Sequence, residues 1–510
     1  MRYSDTDVSP PRRSAGLRLQ AGAAGQFNAA SAGIPPGRLF VGRFSLAIAG
    51  VVVLASCAVS PSAGEREHDS RHFVAGTDVS FEARAGARAF YGIYDGLQGE
   101  AVYAAEFPAG WDGDGLVMFT HGYRGTGESL AVSVPSAAFR EAVLEAGYAW
   151  AASSYSANYY DVRAGIEDTN KLALELPALV QRDWNTQLAE PDQYLISGSS
   201  LGGHTAAAAV ERENMRRTLY PVPYAGAAPF CQAEQNQFQW LGDYARVAQT
   251  LAGYGYMPYS SFPELYGQVD AASRTFLPGP VLTSLFQIDP ESGQPTWEPA
   301  SLNGQRLMSI AMHLTGGERP VFEQGFRSRF QNTVLSSGGD NGTVRGILDR
   351  NVYDNTGRVY RWTSGAQPTD EELAFNRTVP RVSAAAGVNG VRRDGVRWLP
   401  EIHGDFDVPV LTMHTLGDFY VPFRHQQLYL EGAMRHGNAD RLVQRAIRAP
   451  GHCDFSPDET KAALRDWITW VNGGPKPAGD DVLTVEVVAH DQYGCSFTVP
   501  DRSGLPACNR

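Results

Sequence analysis

Cysteine is scarce in this chain, with five among 510 residues. No two of them form a C-x-x-C pair and no H-E-x-x-H occurs, which removes the short motifs of structural zinc modules and zinc proteases. The odd count leaves one cysteine over from any set of intrachain bridges. No long basic run offsets the formal net charge of −12, so the electrostatic footprint of a nucleic-acid binder is missing. Residues 44–55 are apolar but too short to span a bilayer comfortably. There is no internal repeat, and no low-complexity tract beyond the first residues. What is present is a 43% hydrophobic composition with 22 Tyr, 23 Phe and 9 Trp, as in a globular protein with a large core and large pockets or a cap. The length allows two or three ordinary domains or one enlarged one.

Residues 1–36 are rich in Ala, Gly, Ser, Pro and Arg without periodicity, and read as disordered. Arg38 and Arg43 precede the apolar run 44–55, the arrangement of a signal-peptide core. That run ends in Leu54-Ala55-Ser56-Cys57, which resembles the bacterial lipoprotein signal. The resemblance implies lipidation of Cys57, export to the periplasm or outer membrane, and membrane attachment through the lipid only. An ordinary signal peptide or anchor with an incidental cysteine is the alternative. A signal of this kind belongs near a chain start, so translation is expected to begin near Leu39 or Val41. Residues 58–72 read as a polar tether.

The body alternates strands and helices. β-rich pieces at 77–81 and 101–107 open it, followed by an apolar strand at 116–120 and a helix at 137–146. A strand at 148–155 and an amphipathic helix at 168–184 come next, with Pro177 expected to kink or split the helix. Strands at 194–196 and 224–230 flank a helix-prone segment. This rhythm predicts a mostly parallel sheet covered by helices on both faces. It stops at 232–406, which reads as an inserted cap with a hairpin at 352–360. It resumes at 407–475 with strands at 408–414 and 442–449 and helices at 424–435 and 459–471. The segment 476–510 reads as a β-rich tail.

The strand at 194–196 runs into Gly198-Ser199-Ser200-Leu201-Gly202, a G-x-S-x-G in the strand–turn–helix context that motif needs. Glycines on both sides let strand and helix approach closely, and the turn lifts the Ser200 hydroxyl above the sheet edge. Here the chain resembles the α/β-hydrolase superfamily, over 116–230 and 408–471 and in the order Ser, Asp, His. The resemblance implies an α/β-hydrolase fold, Ser200 as nucleophile, Asp418 after a core strand as acid, and His452 after the last core strand as base. It also implies an oxyanion loop at His121-Gly122-Tyr123, with the backbone N–H groups of Tyr123 and Leu201 as donors. The chemistry asks for these types. A serine hydroxyl needs a base to become a nucleophile, a carboxylate fixes the imidazole tautomer, and two N–H donors hold the oxyanion. Asp405 and Asp407 sit at the wrong end of their strand; His414 reads as a core histidine, His121 as a structural hydrogen-bonder, and His204 as a candidate to line the cleft.

A narrower resemblance is to the tannase and feruloyl-esterase branch, carried by the large insertion and by Cys453 directly after His452. That branch has a cysteine before the nucleophile, where this chain has Ser199. With Cys57 lipidated, Cys231, Cys453, Cys495 and Cys508 have three possible pairings. Cys231 and Cys453 both belong at the carboxyl edge of the sheet and the other two are neighbours in the tail, so Cys231–Cys453 and Cys495–Cys508 are expected. The function expected is an exported serine hydrolase acting on small or oligomeric carboxylic esters, aromatic or hydrophobic, through an acyl-enzyme. No cofactor, metal or nucleic acid is expected. The rivals are an amidase or peptidase with the same triad, and a non-catalytic binding lipoprotein on a hydrolase fold.

Overall fold

The computed structural model describes residues 71–509 except 78, 235–237, 259–260, 271, 274, 330–350 and 393. The leader, the signal segment, Cys57 and nearly all of the tether lie outside the described residues.

Eight strands form the main sheet. They are β1 (Ala87–Asp95), β2 (Glu100–Pro108), β3 (Leu116–Thr120), β4 (Ala149–Ser153), β5 (Tyr194–Ser199), β6 (Tyr224–Phe230), β7 (Val410–Thr415) and β8 (Leu442–Ile447). Across the sheet they run β8-β7-β6-β5-β3-β4-β2-β1. From β8 to β4 every pairing is parallel, while β1 and β2 are an antiparallel pair that joins β4 antiparallel. Covering helices on both faces explain why the central strands are apolar throughout. Leu116 and Met118 enter the core shared with helices α2 (Val162–Trp184) and α3 (Leu201–Ala209). Val117 enters the opposite core, shared with α1 (Ala137–Glu145) and α5 (Pro457–Val471). Helix α4 (Arg424–His436) contributes Tyr429 and Ala433 to the first core. The helix starts are capped: Ser136 accepts from Phe139 N–H, Asp161 from Ala164 N–H, and Ser456 with Glu459 forms a capping box.

Between β6 and β7 the chain makes six helices among its described residues and two short antiparallel strand pairs. None of these strands joins the main sheet.

The structure departs from the sequence reading in four places. Residues 79–81 are outside any strand, and Phe81 instead packs on Trp150 with ring centroids 5.5 Å apart. Helix α2 runs unbroken through Pro177, because Leu172, Leu176, Leu179 and Val180 bury one continuous face and outweigh the lost backbone bond. The segment 352–360 keeps its turn (Arg358 N–H to Asn355 O, 3.1 Å) but forms no strands. Its tyrosines are drawn off the ladder, since the hydroxyls of Tyr353 and Tyr360 both donate to buried Asp243, at 3.0 and 2.8 Å. The tail is not β structure: Val485–Val488 is a single helical turn, started by Asp481, which accepts from the N–H groups of Leu483 and Thr484. The outer edge of β8 is closed by side chains instead, as Asp480 accepts from Ala446 N–H and Thr498 from Arg448 N–H.

Around Ser200 the backbones touch. A Cβ on Gly198 would lie 2.3 Å from the Thr120 carbonyl oxygen, and one on Gly202 would lie 2.0 Å from the same atom. That atom cannot easily yield, because it is main chain. Gly202→Ala should therefore destabilise the fold by at least ~2 kcal/mol, read as a lower urea midpoint; wild-type stability in this variant would contradict the packing described.

Candidate active site

The turn between β5 and α3 holds Ser200 at φ 62°, ψ −125°. A non-glycine residue adopts that region only when its surroundings force it to. Here Ser200 N–H donates to Phe230 O at 3.1 Å, and His204 N–H to Ser200 O at 2.9 Å. Thr120 Oγ1 adds bonds to Ser197 O (3.1 Å) and Gly202 O (2.7 Å), tying the neighbouring strand to both limbs of the turn.

Ser200, Asp418 and His452, distant in sequence, meet at the carboxyl edge of the sheet. His452 Nε2 lies 2.7 Å from Ser200 Oγ, and His452 Nδ1 lies 2.6 Å from Asp418 Oδ2. A carboxylate only accepts, so Nδ1 carries the proton and Nε2 is left to accept from the serine hydroxyl. Asp418 is fully buried. Its other oxygen, Oδ1, accepts from the backbone N–H groups of Tyr420 (2.9 Å) and Val421 (3.0 Å). The loops of Asp418 and His452 are joined by Gly417 N–H to Ala449 O (3.0 Å) and by Thr415 Oγ1 to Gly451 O (2.6 Å).

The loop after β3 comes against the serine. A Cβ on Gly122 would sit 3.5 Å from Ser200 Cβ. Tyr123 follows, its side chain half exposed. Leu201 is the first residue of α3, where a helix has no internal acceptor for the N–H. His121 is buried under this loop, with Nδ1 2.7 Å from Gly122 O and Nε2 3.0 Å from Ser154 O. Burial holds its pKa below the usual histidine value. Its ring stacks on Tyr155 at 4.0 Å, and the Tyr155 hydroxyl donates to His121 O at 3.0 Å.

Two further buried histidines are structural. His204 does not line a cleft: it is fully buried, bonded to the Tyr160 hydroxyl (3.0 Å) and Pro400 O (2.7 Å), and burial pulls its pKa down to about 4. His414 donates from Nε2 to Val421 O (2.7 Å) and accepts at Nδ1 from Gln426 (3.1 Å). Burial likewise pulls its pKa down to about 4, so beside Asp418 it stands neutral. Asp405 and Asp407 pair with Arg212, away from the serine. An open groove of about 670 Å³ along α1, lined by Arg84, Arg140 and Glu141 among others, includes none of the residues above.

Cys231 and Cys453 are bridged, with Cα atoms 5.5 Å apart, and so are Cys495 and Cys508, also 5.5 Å apart. Both Cys231 (φ 42°) and Cys453 (φ 51°) have left-handed backbone. The Cys453 sulfur rests 3.4 Å from His452 Nε2. Cys231, Cys453 and His452 are close enough to suggest a metal site, but the bridge consumes both thiolates that a metal would need. Sequence reasoning missed Arg319, Gly325 and Pro450, which pack around the Asp418 loop. No local motif marks them, because their partners are distant in sequence.

No family model matches the chain. A curated relative, the o-phthalyl amidase of Xanthobacter agilis, is 28% identical over 109 residues, 21% of this chain and 24% of the amidase. The match thus spans about a quarter of that protein. Similar solved structures include brefeldin A esterase, described as a bacterial homologue of human hormone sensitive lipase (13% identity, 78% of this chain and 79% of that one, TM-score 0.35). Another is an esterase from Aspergillus oryzae (13% identity, 78% and 88%, TM-score 0.38). Non-reducing peptide mapping should recover Cys231 linked to Cys453 and Cys495 linked to Cys508; a cross-pairing or free thiols at Cys231 and Cys453 would contradict the structure. Replacing the Cys231–Cys453 pair by alanines should cost about 5 kcal/mol for so long a closed loop, less any relief of strain. The strand order, the serine turn and the gathering of three loops at the carboxyl edge are those of the α/β-hydrolase fold, and the chain has that fold.

Proposed function

We propose that the protein is an exported serine hydrolase that cleaves carboxylic esters through an acyl-enzyme. The observation that carries this reading is the unbroken line of hydrogen bonds Asp418–His452–Ser200. His452 takes the Ser200 proton as Oγ attacks the ester carbonyl, and returns it to the departing alcohol. Asp418 holds the ring in the Nδ1–H tautomer and stabilises the imidazolium. The oxyanion of the tetrahedral intermediate is held by the N–H groups of Leu201 and Tyr123. Water then repeats the sequence on the acyl-enzyme and frees the acid.

An amidase is the second reading, favoured by the similarity to o-phthalyl amidase. It uses the same residues and differs in the leaving group. Export is part of the proposal, since bridged cysteines suit an oxidising compartment. The lipid would sit on Cys57. Cys57→Ser should then move the protein from membrane to soluble fractions; a wild type that is soluble and unlipidated would refute the anchor.

The activity test is a panel of p-nitrophenyl esters and matching anilides. Esters should be turned over faster, and a preference for anilides would select the amidase. Ser200→Ala should lose activity by several orders of magnitude, and Asp418→Asn by roughly 10⁴-fold. Near-native ester hydrolysis by Ser200→Ala would overturn the mechanism, and a mild loss in Asp418→Asn would move the acid role to another carboxylate.

A further inference from the structure

Arg319 belongs to the insertion, between the helices Leu302–Leu314 and Phe322–Arg329. Its side chain is buried, and its donors are spread over three acceptors. Nε donates to Leu416 O at 2.7 Å, one terminal nitrogen to Gly317 O at 2.8 Å and the other to Thr315 Oγ1 at 3.1 Å. Burial brings its pKa down to about 10, so it is charged at neutral pH, and the nearby charge of Asp418 acts against that fall. A charge held in the interior is costly, and among the described residues no carboxylate contacts this one. Among the described residues, its bond outside its own segment goes to the main chain two residues before Asp418.

A second contact reaches the same spot. Gly325, on the helix Phe322–Arg329, meets Gly417 backbone to backbone: a Cβ on Gly325 would lie 2.3 Å from Gly417 O. Gly417 in turn lies against the base loop, where its own Cβ would fall 2.6 Å from Pro450 Cα. Insertion, acid loop and base loop are thus stacked in three layers without an intervening side chain. The segment carrying Arg319 is pinned on its other side, as Arg424 N–H donates to Thr315 O (3.0 Å) and Gln427 to Gly316 O (3.1 Å). The direction of the Asp418 carboxylate follows from the course of its loop, since Oδ1 is fixed by the loop's own N–H groups.

We propose that Arg319 is a positioning residue for Asp418, so that the inserted segment is a working part of the acid–base line as well as a cover. The proposal rests on the reading of Ser200, His452 and Asp418 given above. A guanidinium suits the task because its fixed fork reaches the three acceptors from three separate nitrogens, whereas an ammonium offers its donors from a single atom.

The test is a double-variant cycle on Arg319→Met, Arg319→Lys, Asp418→Asn and Arg319→Met/Asp418→Asn. It is read as kcat and KM on a p-nitrophenyl ester and as the rate of fluorophosphonate inactivation, with circular dichroism to establish folding. Arg319→Met should lower kcat by roughly 10- to 100-fold, the size expected for a small misplacement of a catalytic group. KM should stay within about twofold, because the lost interaction serves the transition state. Arg319→Lys should recover part of the loss. In the Asp418→Asn background the Arg319 substitution should change nothing further, since both act through one group. Additive losses, an unchanged kcat in the folded variant, or a higher KM with kcat intact would each overturn the proposal. If Arg319→Met does not fold, Arg319→Lys carries the same comparison against Asp418→Asn. A mild Asp418→Asn variant would defeat the reading of the acid itself, whereas a severe one with additive Arg319 loss defeats this proposal alone.

Discussion

Between the end of the strand carrying Thr120 and the turn carrying Ser200 there is no room for a methyl group. Gly198 and Gly202 both bring their Cα atoms against the Thr120 carbonyl, and Thr120 Oγ1 bonds to the main chain before and after the serine. That close approach forces the reversal at Ser200 into left-handed backbone and sets the first turn of the following helix. It also sets the loop that begins at His121, which leaves the same strand end and lies against Ser200. Ser200 and the loop that starts at His121 are thus placed by one contact between two backbones. The strain at Ser200, on the order of 1–3 kcal/mol, is carried by the surrounding close packing.

The other two members are held by a different device. Asp418 is buried with both oxygens engaged, and its loop lies between Gly325 of the insertion and Pro450 of the base loop. The base loop is restrained from the far side by the Cys231–Cys453 bridge, whose cysteines both have left-handed backbone. The tail adds to this, as Arg448 donates to the carbonyls of Asp491, Tyr493 and Pro506 a few residues before His452. His414, buried next to Asp418, has its pKa pulled down by burial and stands neutral there. Each restraint acts on main chain close to Asp418 or His452, which is how a fold keeps hydrogen bonds near 2.7 Å across segments far apart in sequence.

Much of this could be read from residue order. The G-x-S-x-G turn between an apolar strand and an alanine-rich helix marks Ser200, because only glycine tolerates that approach. Asp418 follows an apolar central strand, and His452 follows the strand read at 442–449, which is the edge strand β8. What could not be read depends on tertiary competition. The valine-rich tail has β propensity but no open ladder, since Asp480 and Thr498 occupy the edge of β8. The segment 352–360 has a turn signal, yet its tyrosines are committed to Asp243. Pro177 carries a local penalty that a buried helix face outweighs. Arg319 and Leu416 are 97 residues apart and no spacing rule connects them.

The central claim is that Ser200 is the activated nucleophile. Intact-mass and peptide mass spectrometry after treatment with a fluorophosphonate tests it most directly. The account predicts one adduct per chain, on Ser200, that disappears in Ser200→Ala and forms far more slowly in Asp418→Asn. An adduct on Ser199 or another residue, or no adduct on folded wild-type protein, would contradict it.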